Sequence, residues 1–174
     1  MRPAHKALCL ALLCAPPAAL AQGWVDFSST ECRCAASFPG ASRQTPREAK
    51  TPDGRKVVTQ FREFTQGGRY FAVSWLQMPG APKDAAAKGR MLEAASAAAL
   101  KANPGSAQLS KRSVTLGGVS GLAYAIDLPK DKTRVRQQIF VAGDRLVEQT
   151  YSGPTGSETG PDVERFLGSL KLQP

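Results

Sequence analysis

Pairs of turn-forming residues divide most of the chain into short segments in which apolar and polar side chains alternate. These turns are Gly67-Gly68, Gly117-Gly118 and Gly143-Asp144. The segments beside them cover residues 56–64, 69–77, 110–116, 121–128, 134–141 and 145–151. Strands joined by such tight turns must pair antiparallel, because a parallel pair needs a long crossover. The turns therefore predict a hairpin and an antiparallel meander, and they exclude a fully parallel α/β fold.

Two segments instead have the period of a helix. Residues 83–102 are alanine-rich with larger apolar residues at helical spacing, and Pro161 opens a second, shorter amphipathic pattern. Residues 32–38 form a short predicted strand, and residues 44–54, which include two prolines, predict a surface loop. We expect an α+β fold in which helices pack on a single antiparallel sheet.

Residues 1–21 have the pattern of a secretory signal peptide. Arg2 and Lys6 precede a short apolar run at residues 7–15. Small residues, Ala19 and Ala21, occupy the two positions that signal peptidase recognises. The run is too short for a membrane anchor, which needs about 20 apolar residues. We expect residues 22–174 to form one domain in the periplasm or outside the cell, with no transmembrane segment.

Removal of this leader would also remove His5, the one histidine of the chain. Without histidine there is no Ser-His-Asp or Cys-His nucleophile and no imidazole zinc ligand. Residues 22–174 also lack a Ser-x-x-Lys pattern, a dinucleotide fingerprint and a phosphate-binding loop. A hydrolase that works through two carboxylates stays open, but no acidic pair stands out. We expect a protein that is not an enzyme and has no catalytic residues and no cofactor.

Cys32 and Cys34 are the thiols that remain after cleavage. An oxidising compartment favours a disulfide between them, although positions i and i+2 of a regular strand lie about 6.6 Å apart, at the outer limit for a disulfide. For a strained local bond, substitution of both cysteines by serine should lower stability by only about 1 kcal/mol, because the closed loop is short. A disulfide-linked dimer, a soft Cu(I) or redox pair, and two buried free thiols remain as alternatives.

A basic row lies in the second half of the chain. Lys132, Arg134 and Arg136 share one parity of a predicted strand, so their side chains should project to one face. Such a row either protects an edge strand from unwanted pairing or contacts an acidic partner, such as an anionic lipid headgroup, lipopolysaccharide or an acidic protein face. Export argues against nucleic acid as that partner.

Several turn and packing motifs resemble those of small exported bacterial domains of uncharacterised function. They are Trp24, Phe38-Pro39-Gly40, Leu116-Gly117-Gly118 with Gly121, Gly143-Asp144-Arg145-Leu146, Pro161-Asp162, Arg165-Phe166-Leu167 and Leu170-Lys171-Leu172. These domains are similar to the α/β sandwich of PsbP, the extrinsic photosystem II subunit. The resemblance implies this fold and an accessory binding role at the cell envelope. The alternative is a periplasmic redox or copper-handling protein that uses Cys32 and Cys34, a pair outside the resemblance.

Overall fold

The computed structural model describes residues 23–50 and 56–173. The chain order is β1 (Val25–Ser29), β2 (Cys34–Phe38), β3 (Arg43–Lys50), β4 (Lys56–Gln66), β5 (Arg69–Gln77), α1 (Ala85–Lys101), β6 (Ala107–Leu116), β7 (Val119–Leu128), β8 (Thr133–Ala142), β9 (Arg145–Pro154), α2 (Pro161–Gly168) and β10 (Lys171–Leu172). The signal-peptide prediction for residues 1–21 lies outside the described residues. No helix in the described ranges is long and apolar enough to cross a membrane.

The predicted antiparallel hairpins are confirmed in a seven-stranded sheet. Its strand order is β3-β4-β5-β9-β8-β7-β6, and every neighbouring pair is antiparallel. Gly67 and Gly68 have φ angles of 56° and 73°, and Gly117 and Gly118 have φ angles of 56° and 78°. Glycine adopts this left-handed region without steric penalty, which is why these pairs form the hairpin turns.

The prediction of a single sheet is wrong. A second, three-stranded sheet has the order β1-β2-β10, and both of its pairings are antiparallel. Its last strand is only two residues long, with Lys171 opposite Ala35 and Leu172 opposite Cys34. A strand this short has no recognisable alternation, and its partner lies at the other end of the described chain. The sequence pattern therefore did not reveal it.

The loop predicted for residues 44–54 is also wrong over most of its length. Residues 43–50 form β3, which is an edge strand of the large sheet and pairs only with β4. Pro46 lies within this strand opposite Gln60. Proline has no backbone N–H to donate. An edge strand tolerates it because the outer side of the strand has no neighbour that needs such a hydrogen bond. The rest of the predicted loop, residues 51–54, lies outside the described residues.

The large sheet has a core on each face. On one face, α2 and the small sheet enclose an aromatic cluster in which the rings of Phe71 and Phe166 lie 5.3 Å apart and those of Phe71 and Tyr151 lie 5.2 Å apart. On the other face, α1 packs mainly on β7 and β8 over a smaller aliphatic cluster. The side chain of Asp84 caps the start of α1 by accepting a hydrogen bond from the Ala87 N–H at 2.7 Å.

Candidate functional site

The predicted basic row does not form a free cationic face. β8 is an interior strand, so the row does not protect an edge. Lys132 precedes the strand in a left-handed conformation with φ of 50°, and it is exposed. Arg134 and Arg136 lie within β8, where each has carboxylate partners.

Those carboxylates come from the neighbouring strand, the loop after β9 and helix α2. Arg134 forms ion pairs with Asp127, at 3.2 Å, and with Glu158. Arg136 pairs with Glu164 and donates a hydrogen bond to the backbone oxygen of Glu158 at 2.8 Å. Burial raises the pKa of Glu158, but its hydrogen bonds, including those from Arg134 and the Gly156 N–H, outweigh burial and lower that pKa. The two arginines therefore fasten the loop and α2 to the sheet.

Cys32 and Cys34 form a disulfide at the turn between β1 and β2. Their Cα atoms lie 5.1 Å apart, closer than a regular strand would hold them, because Cys32 precedes β2 and Arg33 has a positive φ of 49°. Both cysteines belong to the aromatic cluster, with exposures of 1% and 3%. Across the described residues, no group of three or more His, Cys, Asp or Glu side chains could hold a metal ion.

Two glutamates on the α1 face of the large sheet have contrasting surroundings. Glu63 accepts hydrogen bonds from Tyr70 at 3.0 Å and Thr45 at 3.0 Å, and pairs with Arg47 at 2.7 Å and Arg43 at 3.2 Å. Burial raises the pKa of Glu63, but these hydrogen bonds and positive charges outweigh burial, so the pKa lies below its ordinary value. Glu63 is a stabilised carboxylate at neutral pH.

Glu148, on β9, has no positively charged partner in the described part of the chain. It accepts hydrogen bonds from Gln137 at 3.0 Å and from Ser74 at 3.4 Å, and Tyr124 donates to Gln137 at 2.8 Å. Burial raises the pKa of Glu148, and the hydrogen bonds from Ser74 and Gln137 only partly oppose this effect. Strand alternation alone could place both glutamates on a face, but it could not identify their partners.

A cleft of about 600 Å³ lies on this same face, between the first half of α1 and the β6–β7 hairpin. Its apolar wall includes Leu92 and Leu122, which are nearly buried, and Val119, which is half-buried. Lys83, Lys88 and Glu93 also line it. The size falls within the range of about 300–1,000 Å³ that is usual for small-molecule pockets. The lining combines apolar surface with two amines and one carboxylate.

The segment that carries the cleft is strongly basic. Residues 83–126 contain six lysines and arginines but only two acidic residues. Of these two, Glu93 pairs with Lys111 at 2.6 Å, and Asp84 caps α1. Lys83, Lys88 and Arg90 form no ion pair with another described residue. Residues 43–62 have the same count in fewer than half as many positions, so a charge count alone would not have located this region from the sequence.

Comparison with known proteins identifies the fold. The solution structure of cyanobacterial PsbP from Synechocystis sp. PCC 6803 matches with a TM-score of 0.62 and 11% identity, covering 93% of this chain and 99% of that one. The chain therefore has a PsbP-like fold, as expected, although at this identity the match shows the fold alone. A protein of unknown function from Pseudomonas aeruginosa, PA94, matches with a TM-score of 0.44 and 11% identity over 78% of this chain and 85% of that one, too low for any argument. No protein-family model and no curated protein matches the chain.

Proposed function

We propose that this protein is an exported, non-catalytic accessory domain that binds an anionic component of the cell envelope through the α1 side of its large sheet. The observation that carries the proposal is a group of cations on α1 and just before it, Lys83, Lys88 and Arg90, which form no ion pair with another described residue. Arg134 and Arg136, in contrast, are already neutralised by carboxylates of the same chain. Unpaired cations attract an anionic partner over about one Debye length, roughly 8 Å at physiological ionic strength.

Export is supported by two independent features. Residues 1–21 have the pattern of a signal peptide. The Cys32–Cys34 disulfide is of a kind that persists in oxidising compartments and is rare in reducing ones. The envelope is therefore the proposed place of action, and its anionic lipids are the proposed partner.

Vesicle co-sedimentation tests the proposal. The protein should sediment with phosphatidylglycerol-containing vesicles and not with phosphatidylcholine vesicles, and added salt should weaken the binding. Reversal of Lys83, Lys88 and Arg90 to glutamate should weaken it at least about tenfold.

The matched control reverses three exposed lysines elsewhere, Lys130, Lys132 and Lys171. Both variants change the net charge equally, so a specific α1 surface predicts that the control retains most of the binding. Equal losses in the two variants would mean that only the overall charge matters. Absence of any preference for anionic vesicles would overturn the proposed function itself.

The alternative, a redox or copper-handling protein, has less support. Reactive thiol pairs need partial exposure to reach their partners, whereas Cys32 and Cys34 are 1% and 3% exposed. Thiol titration of the native protein under mild reduction tests this alternative, together with Cu(I) binding to the reduced protein. Ready reduction with stoichiometric copper uptake would favour it over the binding role.

A further inference from the structure

One glycine in α1 lies at the cleft without a packing reason. Gly89 is the only glycine of this otherwise alanine-rich helix, and it lines the cleft. A Cβ added there would meet no atom within 4 Å. Glycine inside a helix is less stable than alanine, so this position loses helix stability and relieves no contact within the described chain.

At Gly121, in contrast, close packing requires glycine. A Cβ at Gly121 would lie 2.3 Å from the ring of Phe140 and 2.5 Å from the Ile139 carbonyl oxygen, so a larger residue cannot fit there. Nothing comparable restricts Gly89, so the space beside it is open. Gly89 differs from Gly168, the other open helical glycine, because it lines the cleft.

The lining of the cleft specifies the chemistry of an occupant. Leu92, Leu122 and the half-buried Val119 offer an apolar wall, which favours a hydrocarbon body. Lys83 and Lys88 offer two ammonium groups that pair with no described carboxylate, which favours an acidic headgroup. Glu93, the one carboxylate of the lining, is already paired with Lys111. A ligand with both parts would satisfy the apolar surface and the charges together.

We infer that the cleft binds one acyl chain that ends in an acidic headgroup. The chain lies against Leu92, Leu122 and Val119 and uses the space left by Gly89, and the headgroup contacts Lys83 and Lys88. This assignment rests on the proposed function, because it states the chemical class of the anionic component that the protein is proposed to bind. A free fatty carboxylate and an anionic membrane lipid carry the same two chemical parts.

Calorimetric titration with decanoate, below the concentration at which it forms micelles, tests the cleft directly. Decanol serves as the uncharged comparison. Decanoate should bind at least about tenfold more tightly than decanol. The double substitution Lys83→Ala and Lys88→Ala should remove this preference and leave decanol binding unchanged. Equal affinity of the unsubstituted protein for decanoate and decanol would overturn the headgroup assignment.

Gly89→Leu fills the space beside α1 and should weaken decanoate binding at least about tenfold. Gly168→Leu is the matched control, because Gly168 also lies in a helix with no atom within 4 Å of an added Cβ, but it does not line the cleft. Circular dichroism confirms that both variants are folded. Unchanged binding by Gly89→Leu, or equal weakening by both substitutions, would overturn the cleft assignment.

The vesicle experiment separates this inference from the proposed function. If Gly89→Leu binds decanoate normally while reversal of Lys83, Lys88 and Arg90 abolishes vesicle binding, the cleft assignment is wrong and the proposed function stands. If the protein binds decanoate in a Gly89-dependent way but ignores anionic vesicles, the envelope role is wrong and the ligand is a free carboxylate. Loss of vesicle binding in Gly89→Leu supports both and identifies a membrane lipid as the source.

Discussion

The two faces of the seven-stranded sheet are built from the same strands but differ in what covers them. One face is sealed by the small sheet and α2 over a cluster rich in aromatic residues. The other is covered by α1 mainly over β7 and β8, and towards β3 and β4 it carries polar and charged side chains. From this difference we expect stability to be concentrated on the sealed face, and the α1 face is the one to which the proposed function assigns binding.

Strand β5 shows how one segment serves both faces. Phe71, Val73 and Trp75 point into the sealed cluster and are almost completely buried. Ala72 and Ser74 alternate with them on the other face, and Ser74 reaches Glu148. Because side chains alternate along a strand, a single run can supply the core on one side and polar groups on the other.

The largest expected effect compares one core side chain from each face. Phe166 is fully buried, and its ring lies 5.3 Å from those of Phe38 and Phe71. We expect Phe166→Ala to lower the free energy of unfolding by about 3–5 kcal/mol, and Leu92→Ala on the α1 face to lower it by only about 2 kcal/mol. Urea denaturation of the two variants measures both values. Equal or reversed losses would break the proposed division between the faces.

The second prediction concerns how much the Cys32–Cys34 disulfide stabilises the sealed face. Reduction of the native protein retains the sulfur atoms and should lower the free energy of unfolding by about 1–2 kcal/mol, as expected for so short a loop. Substitution of both Cys32 and Cys34 by serine should cost about 1–2 kcal/mol more, because two hydroxyl groups enter an apolar core. The expectation of a total loss near 1 kcal/mol did not include this burial.

Chemical denaturation of the oxidised, reduced and double-serine proteins distinguishes the two contributions. A double-serine variant as stable as the reduced protein would show that the surroundings of the sulfur atoms are not apolar in solution.

Glu63 and Glu148 allow a comparison within the α1 face. At neutral pH, Glu63→Gln should lower the free energy of unfolding by about 1 kcal/mol, because it weakens hydrogen bonds to a charged group. Glu148→Gln should leave stability unchanged or raise it, because it removes a carboxyl group whose ionisation is opposed by burial and is helped by no described cationic partner.

The pH dependence of unfolding gives the sign of each contribution. The folded pKa of Glu63 is lowered, so its stabilisation is present above the ordinary glutamate pKa and is lost as the pH falls towards the folded value. The folded pKa of Glu148 is raised, so its ionisation lowers stability as the pH rises from the ordinary value through the folded one. Thermal unfolding of each glutamine variant between pH 3 and pH 8 should lack the corresponding slope. Parallel profiles for the two variants would contradict the contrast.

The smallest expected effect concerns Gly89 on the α1 face, and Gly121 gives its contrast on the sealed face. Gly89→Ala should raise the free energy of unfolding by about 0.5–1 kcal/mol, because alanine favours the helix and nothing lies in its way. Gly121→Ala should lower it, because its methyl group would collide with Phe140 on the sealed face. Thermal unfolding of the two variants measures both shifts. A loss of stability in Gly89→Ala would mean that the space at the cleft is smaller than the structure indicates.

The sequence by itself determined the elements that depend on neighbouring residues. Glycine pairs with positive φ marked the hairpins, and residues 83–102 were recognised as a helix close to its observed bounds, Ala85–Lys101. The meander followed from these signals, and so did the PsbP-like resemblance. Each signal rests on backbone geometry or side-chain period within a few residues, which is information that the local sequence contains.

Only the tertiary structure decided which distant groups meet. β10 completes a second sheet by pairing with β2. Arg134 and Arg136 form ion pairs with Glu158 and Glu164, which neutralise their charges. The cleft exists because α1 leaves a gap above the β6–β7 hairpin. The width of this gap depends on how the helix packs on the sheet, and neither segment specifies it alone. Strand pairing, ion pairing and cavity shape depend on contacts between residues far apart in the chain, so local periodicity and composition cannot specify them.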